Sequence, residues 1–266
     1  MPNWEFETTA IHAGSKSDKE TGATKVPIYQ SAAFEHDTAE SLEATFKGRQ
    51  FGYYYSRVSN PTIVALEQRL NALEGGRGAV VVSSGMAAIS SVVLTLARSG
   101  DNIVVAKSLF GSTYYLLKGL VQGCGVELRF VDTTSIAAYE SAIDSKTRLV
   151  FLEAIGNPKL DVPDISLISK CAHGRNVPVA VDTTFVTPYL FNGKTAGADI
   201  IVQATTKYLC GGGSTIGGAL IDTGAFKWAT CQSESIQEQS AFGDLAFLSA
   251  LRKHRSNAGC VQAPQN

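Results

Sequence analysis

The stretch Asp199-Ile-Ile-Val-Gln-Ala-Thr-Thr-Lys207-Tyr-Leu-Cys-Gly-Gly-Gly213 places one lysine between an apolar run and a glycine-rich segment. The apolar run Ile200 to Val202 predicts a short buried strand, and the glycines predict a loop that other groups can approach closely. A lysine at this junction, shielded from solvent, would have the lowered pKa that Schiff-base formation requires. Taken alone, the segment fits an ordinary surface lysine better, because single-lysine motifs are weak signals.

The chain from Ala79 to Asp182 alternates short apolar runs with helical patterns. The predicted strands are 79–82, 102–106, 126–131, 148–152 and 177–181, and the predicted helices are 87–98, 112–120, 135–143 and 165–175. This alternation indicates an α/β fold with a mostly parallel sheet and helices on both faces. Ligands of such sheets bind beyond the carboxyl ends of the strands, so the residues after each strand are candidate site residues.

The two ends of the chain lack this pattern. Residues 1–50 predict an extended N-terminal arm, which we expect to cross a neighbouring subunit, with one helix over 38–46 capped by Thr38. Asn60-Pro61 predicts the start of a helix that ends at Gly75-Gly76. We assign 51–250 to the α/β domain and 251–266 to the beginning of a further domain. From about Thr230 the pattern is polar and helical.

The composition is that of an ordinary globular protein, with 44% hydrophobic and 18% charged residues. A net charge of −1 gives no electrostatic reason to expect a nucleic acid or an anionic membrane as partner. No apolar run has the length of a membrane span, and the N-terminus carries no signal pattern. Five cysteines without a CxxC pair favour a reducing, cytoplasmic location over disulfides or a metal site. Cys210 is expected to be a packing residue rather than a reactive thiol.

Several residues with possible roles follow the predicted strands. Ser84-Gly85-Met86 begins a helix, where backbone N–H groups and the helix dipole can hold a phosphate. Phe110 is able to stack on a planar ligand or to fill the core. Asn157 is able to bond a ligand or its own turn. Asp182 ends a buried strand, where a carboxylate is costly unless a cation or hydrogen-bond donors meet it.

Together with Lys207, these residues match the requirements of pyridoxal phosphate. The lysine would form the Schiff base, and Asp182 would keep the pyridine nitrogen protonated, so that the ring acts as an electron sink. The helix N-terminus would hold the phosphate. No G-x-G-x-x-G motif follows the first strand, so we discount a NAD-binding Rossmann protein.

The sequence resembles the Cys/Met-metabolism family of pyridoxal-phosphate enzymes, which includes cystathionine γ-synthase, cystathionine γ-lyase, methionine γ-lyase and the homoserine-ester sulfhydrylases. The resemblance runs from about His12 to the last residue and implies the large domain of fold-type I transferases. It is carried by Tyr55-Ser-Arg57-Val-Ser-Asn-Pro-Thr62, Leu73-Glu-Gly-Gly76, Ser83-Ser-Gly-Met-Ala-Ala88, Asp182-Thr-Thr-Phe185 and Ala204-Thr-Thr-Lys-Tyr208.

The resemblance implies a role for each matching residue. Lys207 is the Schiff-base lysine and the acid/base, Asp182 faces the pyridine nitrogen, and Asn157 lies near the ring hydroxyl. Gly85 and Met86 give N–H groups to the phosphate.

The resemblance also implies a site shared between subunits. Tyr55 and Arg57 are expected to reach the phosphate of a partner subunit, within a homodimer or homotetramer, and Tyr55 to help proton transfer. Arginine suits the phosphate because its planar fork binds bidentately.

The chain departs from the family pattern at three places. Phe110 replaces a stacking tyrosine, as in some sulfhydrylases, so stacking survives but a hydroxyl is lost. Ala204 replaces a phosphate-binding serine, with Thr206 keeping the neighbouring hydroxyl and Thr205 as possible compensation. The chain stops about where the family's C-terminal domain begins, and neither Arg252 nor Arg255 sits in the motif of the arginine that clamps the substrate carboxylate. We expect a partial member that keeps the cofactor site and lacks this clamp.

The function that this resemblance implies is γ-replacement on an activated homoserine ester (O-acetyl or O-succinyl) by a sulfur nucleophile, as in a sulfhydrylase or cystathionine γ-synthase. The first alternative is γ-elimination by a lyase; Ser112 argues mildly against methionine γ-lyases, which tend to carry a cysteine there. The second alternative is a non-catalytic, truncated fold member. The retained Lys207, Asp182, Arg57 and Tyr55 argue against it.

Overall fold

A seven-stranded sheet forms the centre of the computed structural model, in the order β1-β7-β6-β5-β4-β2-β3. The structure describes residues 4–257, with the side chains up to Lys253. The strands are β1 Gly78–Val82, β2 Asn102–Ala106, β3 Glu127–Val131, β4 Thr147–Glu153, β5 Val179–Asp182, β6 Ile200–Gln203 and β7 Gly218–Asp222. Only β7 runs antiparallel to its neighbours, β1 and β6, while the other paired strands are parallel. The predicted α/β class with a mostly parallel sheet is confirmed.

Helices cover both faces of the sheet. They are α1 Phe6–His12, α2 Ala39–Phe46, α3 Pro61–Glu74, α4 Gly85–Leu96, α5 Gly111–Leu116, α6 Ile136–Ala142, α7 Ile165–His173, α8 Thr187–Leu190, α9 Gly193–Ala196, α10 Glu234–Gln237 and α11 Ala246–Asn257. A π-helical turn, Leu117–Val121, extends α5. The predicted caps are confirmed: Thr38 and Asn60 accept hydrogen bonds from backbone N–H groups at the starts of α2 and α3, and Gly75 ends α3 with φ +61°.

The core has two layers, one on each face of the sheet. Neighbouring residues of β4 point to opposite layers: Phe151 packs with α4, whereas Leu152 packs with α6 and α7. A strand that is buried on both faces reads as a continuous apolar run, which is why the parallel strands are recognisable in the sequence.

The segment after β7 is not a polar tail. Trp228, Phe247 and Leu251 are buried, and the rings of the first two stack with centroids 4.5 Å apart. The Arg252 guanidinium donates a hydrogen bond to the Ala79 carbonyl oxygen at 3.1 Å and lies 3.6 Å from the Glu67 carboxylate. The expected helical character from about Thr230 is present in α10 and α11, but the expected polar character is wrong, because Ala246-Phe-Leu-Ser-Ala-Leu251 is a nearly continuous apolar run that is buried. The side chain of Arg255 and residues 258–266 lie outside the described part of the chain.

The beginning of the predicted arm lies on its own α/β domain. Helix α1, which the sequence pattern does not predict, packs on α3, and the Arg69 guanidinium on α3 donates hydrogen bonds to the carbonyl oxygens of Ala13 and Ile11. Gly14 has φ +70°, and a Cβ there would overlap the Ala65 carbonyl oxygen, so only glycine permits this approach. Crossing to a neighbouring subunit stays a prediction for the rest of the arm.

Candidate active site

A cavity of about 390 Å³ lies where the carboxyl ends of β4, β5 and β6 meet the N-terminus of α4. Parallel strands that end side by side bring together residues that are far apart in sequence. All the predicted site residues except Tyr55 and Arg57 line this cavity, namely Gly85, Met86, Phe110, Asn157, Asp182, Thr206 and Lys207.

The N-terminus of α4 presents backbone donors to the cavity. The first N–H groups of a helix have no partner within the helix, and here the Ser84 side chain accepts from the Ala87 N–H at 3.1 Å. The N–H groups of Gly85 and Met86 belong to the same first turn, where an anion is stabilised by the helix dipole. A Cβ on Gly85 would come within 2.7 Å of the Ala204 Cβ, so glycine is required for α4 to begin against the end of β6.

Asp182 is a part-buried carboxyl group that lines the cavity. Its Oδ1 accepts the Thr184 N–H at 2.9 Å, and burial raises its pKa above the ordinary aspartate value. None of the ion pairs in the described part of the chain includes it. A cationic group in the cavity would therefore stabilise its charged form.

Glu153 is a cavity residue that the sequence pattern does not single out. Its Oε1 accepts the Phe110 N–H at 2.7 Å, and its Oε2 accepts the Asn157 N–H at 3.0 Å. Burial raises its pKa to about 7, the two N–H groups oppose this shift, and the Asp182 charge adds to it. The available signal was its position: like Asp182, it is a carboxylate at the end of a buried strand.

Lys207 lies at the open side of the cavity. It is exposed, as are its neighbours in the cavity wall Tyr208 and Ile216. The expectation that this lysine is shielded from solvent is not met within the single chain. Gly211, Gly212 and Gly213, which follow it closely, have no side chains with which to cover it.

The hydroxyl groups near Lys207 are divided between two places. Thr206 Oγ1 lies in the cavity, where it accepts the Gly217 N–H at 3.0 Å and donates to the Gly217 carbonyl oxygen at 3.2 Å. Thr205 instead lines a second cavity of about 450 Å³, together with Arg57. Thr205 therefore does not occupy the place that Ala204 leaves without a hydroxyl.

Tyr55 and Arg57 lie beside each other, and Arg57 lines the second cavity together with Ile216, which also lines the cavity of Lys207. Neither lines the cavity that contains Lys207, and the Arg57 guanidinium carbon lies 5.4 Å from the centre of the Tyr55 ring. Their role at a partner subunit stays a prediction. In the described part of the chain no group of metal-binding side chains was found, and none of its helices is both long and apolar enough to cross a membrane.

Comparison with known proteins identifies the class to which this fold and cavity belong. The family described as Cys/Met metabolism PLP-dependent enzyme matches residues 7–266. The chain therefore belongs to this family.

Individual relatives include enzymes of more than one activity. The chain is 41% identical to the O-acetyl-L-homoserine sulfhydrylase of Corynebacterium glutamicum, over 85% of this chain and 52% of that protein. It is 40% identical to the L-methionine gamma-lyase of Pseudomonas putida, over 83% of this chain and 55% of that protein. The chain thus spans little more than half the length of these relatives.

A solved structure shows the same fold with a cofactor adduct. The putative O-acetylhomoserine (thiol)-lyase of Campylobacter jejuni, which carries an N'-pyridoxyl-lysine-5'-monophosphate, superposes with a TM-score of 0.88 at 31% identity. The match covers 99% of this chain and 68% of that one.

Proposed function

We propose that the chain is the cofactor-binding part of a pyridoxal-phosphate enzyme that exchanges the γ-substituent of an activated homoserine ester for a sulfur nucleophile. One observation carries this proposal: a single cavity contains a lysine, a part-buried carboxyl group and the N-terminus of a helix. These are the three groups that the aldehyde, the ring nitrogen and the phosphate of the cofactor require.

The residues of the cavity fit the cofactor chemically. Asp182 is a part-buried carboxyl group without an ion-pair partner among the described residues, and a protonated ring nitrogen would supply the missing positive charge. The N–H groups of Gly85 and Met86 would hold the phosphate, and Phe110 would cover one face of the ring. The amine of Lys207 would attach the cofactor covalently. When bound, pyridoxal phosphate withdraws electrons from the reacting carbon atoms of an amino acid.

The chain's own residues would then control protons and water. Lys207 Nζ would take and return protons at the α and β carbon atoms of the substrate, as a positioned amine with a suitable pKa can do. Asn157 would hydrogen-bond the ring oxygen and Phe110 would exclude water from that side. Tyr55 and Arg57 of a second subunit would complete the phosphate site, so a homodimer or homotetramer is proposed.

The replacement reaction is supported by the sulfhydrylases among the relatives, at 37–41% identity. A lyase activity is the second candidate, because methionine gamma-lyases match at 40–42% identity. Both reactions use the same cofactor groups. The proposal also includes an N-terminal arm over 1–50, an α/β domain over 51–250, the beginning of a further domain over 251–266 and a cytoplasmic location.

The test is an absorption spectrum of the purified chain with pyridoxal phosphate, followed by borohydride reduction and peptide mapping. We expect a yellow protein whose reduced pyridoxyl group maps to Lys207. Turnover of O-acetylhomoserine with and without sulfide then separates replacement from elimination. A chain that binds no cofactor, or binds it at another lysine, would overturn the proposal.

A further inference from the structure

The carboxyl group of Glu153 connects two loops at the mouth of the cavity. One loop leads from β2 to Phe110 and α5, and the other leads from β4 through Asn157. Each carboxylate oxygen accepts one backbone N–H, at 2.7 Å from Phe110 and at 3.0 Å from Asn157. The loops also touch each other, since a Cβ on Gly156 would overlap the side chain of Ser108. A single side chain therefore fixes the backbone of both residues.

This carboxyl group is in an unfavourable place for a charge. Glu153 is only 6% exposed and is the register neighbour of Asp182, a second, part-buried carboxyl group. A buried carboxylate is tolerated where donors meet both oxygens, and here the two loop N–H groups are those donors. The free-energy cost of burying the Glu153 carboxylate is thus offset by hydrogen bonds from the two loops that carry Phe110 and Asn157.

We propose that Glu153 is a positioning residue of the cofactor site: by holding the backbone of Phe110 and Asn157, it sets where the stacking ring and the amide meet the cofactor. The inference rests on the proposed function. It makes two predicted cofactor contacts, those of Phe110 and Asn157, depend on the carboxyl group of Glu153.

Glu74 offers a matched comparison within the same protein. It is 1% exposed, burial raises its pKa to about 7, and its Oε1 accepts a hydrogen bond from the Gln203 side chain at 3.1 Å. It does not line the cavity. Glu74→Gln therefore shows what the loss of a buried carboxyl group does when no cofactor contact depends on it.

The experiment compares Glu153→Gln, Glu74→Gln and the unchanged chain by two measurements. Glutamine has the shape of glutamate but turns an N–H donor towards one of the two loop N–H groups, so one hydrogen bond is lost. Hydrogen exchange by mass spectrometry is measured on the cofactor-free protein in the peptides that contain Phe110 and Asn157. The affinity for pyridoxal phosphate and the visible circular dichroism of the bound cofactor are then measured.

We expect Glu153→Gln to speed exchange in at least one of the two peptides, weaken cofactor binding about tenfold and change the circular dichroism. Glu74→Gln should do none of these. If the glutamine variant does not fold, Glu153→Asp replaces it: its shorter side chain keeps the charge but reaches one loop only, with the same expected results.

Unchanged exchange in both peptides would overturn the proposal, whether or not cofactor binds. Faster exchange together with unchanged affinity and circular dichroism would also overturn it, because Glu153 would then be a loop support alone. An unchanged chain that fails to bind cofactor would overturn the proposed function and, with it, this role of Glu153. Hydrogen exchange is measured on the cofactor-free protein, so it shows whether Glu153 holds the two loops even if the unchanged chain binds no cofactor.

Discussion

Glu153 and Asp182 are register partners on the adjacent parallel strands β4 and β5, so a buried and a part-buried carboxyl group end side by side at one cavity. A negative charge on one of these carboxyl groups disfavours ionisation of the other, and the Asp182 charge contributes to the raised pKa of Glu153. The two groups differ in what meets them. Glu153 accepts N–H groups from two loops, whereas Asp182, which lines the cavity, accepts hydrogen bonds from Thr184 alone among the residues that the structure describes.

The first prediction concerns Asp182. Asp182→Asn removes the charge that would pair with a protonated ring nitrogen, and a charge-assisted hydrogen bond contributes about 1.5–3 kcal/mol. We expect affinity for pyridoxal phosphate to fall about 10- to 100-fold without a loss of thermal stability, because a part-buried unpaired carboxyl group is also removed. Absorption titration and thermal unfolding of the cofactor-free protein measure the two effects. Equal affinity in the variant would contradict the assignment.

The second prediction concerns the pH dependence of stability at Glu74. Burial raises its pKa from 4.5 in the unfolded chain to about 7 in the folded protein, and the Gln203 hydrogen bond only partly opposes this. Between these values the folded state keeps a proton that the unfolded state has released, so stability falls as pH rises. The contribution of Glu74 to the free energy of unfolding is fully present below about pH 4.5 and is lost as pH rises through about 7. It amounts to about 3 kcal/mol.

The glutamine side chain of Glu74→Gln does not titrate. The free energy of unfolding of this variant should therefore rise relative to that of the unchanged chain between pH 4.5 and pH 7.5. Urea unfolding at a series of pH values measures the difference in free energy of unfolding. Glu140→Gln, at an exposed position, serves as the control for the replacement of a surface glutamate. A pH-independent difference for Glu74→Gln would show that this carboxyl group is ionised in the folded state.

The sequence predicts β2, β4, β5 and β6 well because each is a mostly apolar, largely buried run between turn residues, and it predicts the edge strand β3 from the apolar residues among its charged ones. It does not predict β7, because Gly218-Ala-Leu-Ile-Asp222 follows a glycine-rich run and contains a single β-branched residue. The sequence also does not predict the stacking of Trp228 on Phe247. Their contact joins residues that no helical or strand period connects.

The candidate site is predictable to the extent that each residue ends a strand or lies within four residues after it. Asp182, Asn157 and Lys207 satisfy this rule and meet at one cavity. Glu153 satisfies it too, but its partners are backbone N–H groups of two loops, and no residue type marks such partners. The exposure of Lys207 is equally invisible in the sequence, because it depends on what covers the glycine-rich segment.

The third prediction concerns Cys210, in the glycine-rich segment. The Thr215 hydroxyl donates to Cys210 Sγ at 3.3 Å, Ser214 lies at 3.5 Å, and these contacts lower the pKa of the thiol to about 6. Cys210 should therefore be a thiolate at neutral pH and react with iodoacetamide with a midpoint near pH 6. This differs from the packing role that the sequence favours.

Peptide mapping after timed alkylation distinguishes Cys210 from the exposed Cys124. Thr215→Val removes the main hydrogen bond and should move the midpoint of Cys210 towards the ordinary value of about 8.5. A midpoint that is the same with valine at position 215 would show that Thr215 does not stabilise the thiolate.

The last prediction concerns the sharing of sites between subunits. Arg57 does not line the cavity of its own Lys207, but it lines a neighbouring cavity that shares Ile216 with it, so an effect of Arg57→Ala on cofactor binding can come from its own chain or from another subunit. We expect Arg57→Ala to weaken pyridoxal-phosphate binding about 10- to 100-fold, because a guanidinium–phosphate contact is charge-assisted. The exposed Arg175→Ala should leave the affinity unchanged.

Mixing two variants separates these explanations. Lys207→Ala cannot attach the cofactor, and Arg57→Ala binds it weakly, but a mixed dimer contains one site with Lys207 from one chain and Arg57 from the other. Borohydride reduction of the mixture at limiting cofactor should label Lys207 of the Arg57→Ala chain more strongly than reduction of that variant alone. Labelling that does not increase, although sedimentation shows mixed dimers, would mean that Arg57 acts within its own chain and that the site is not shared.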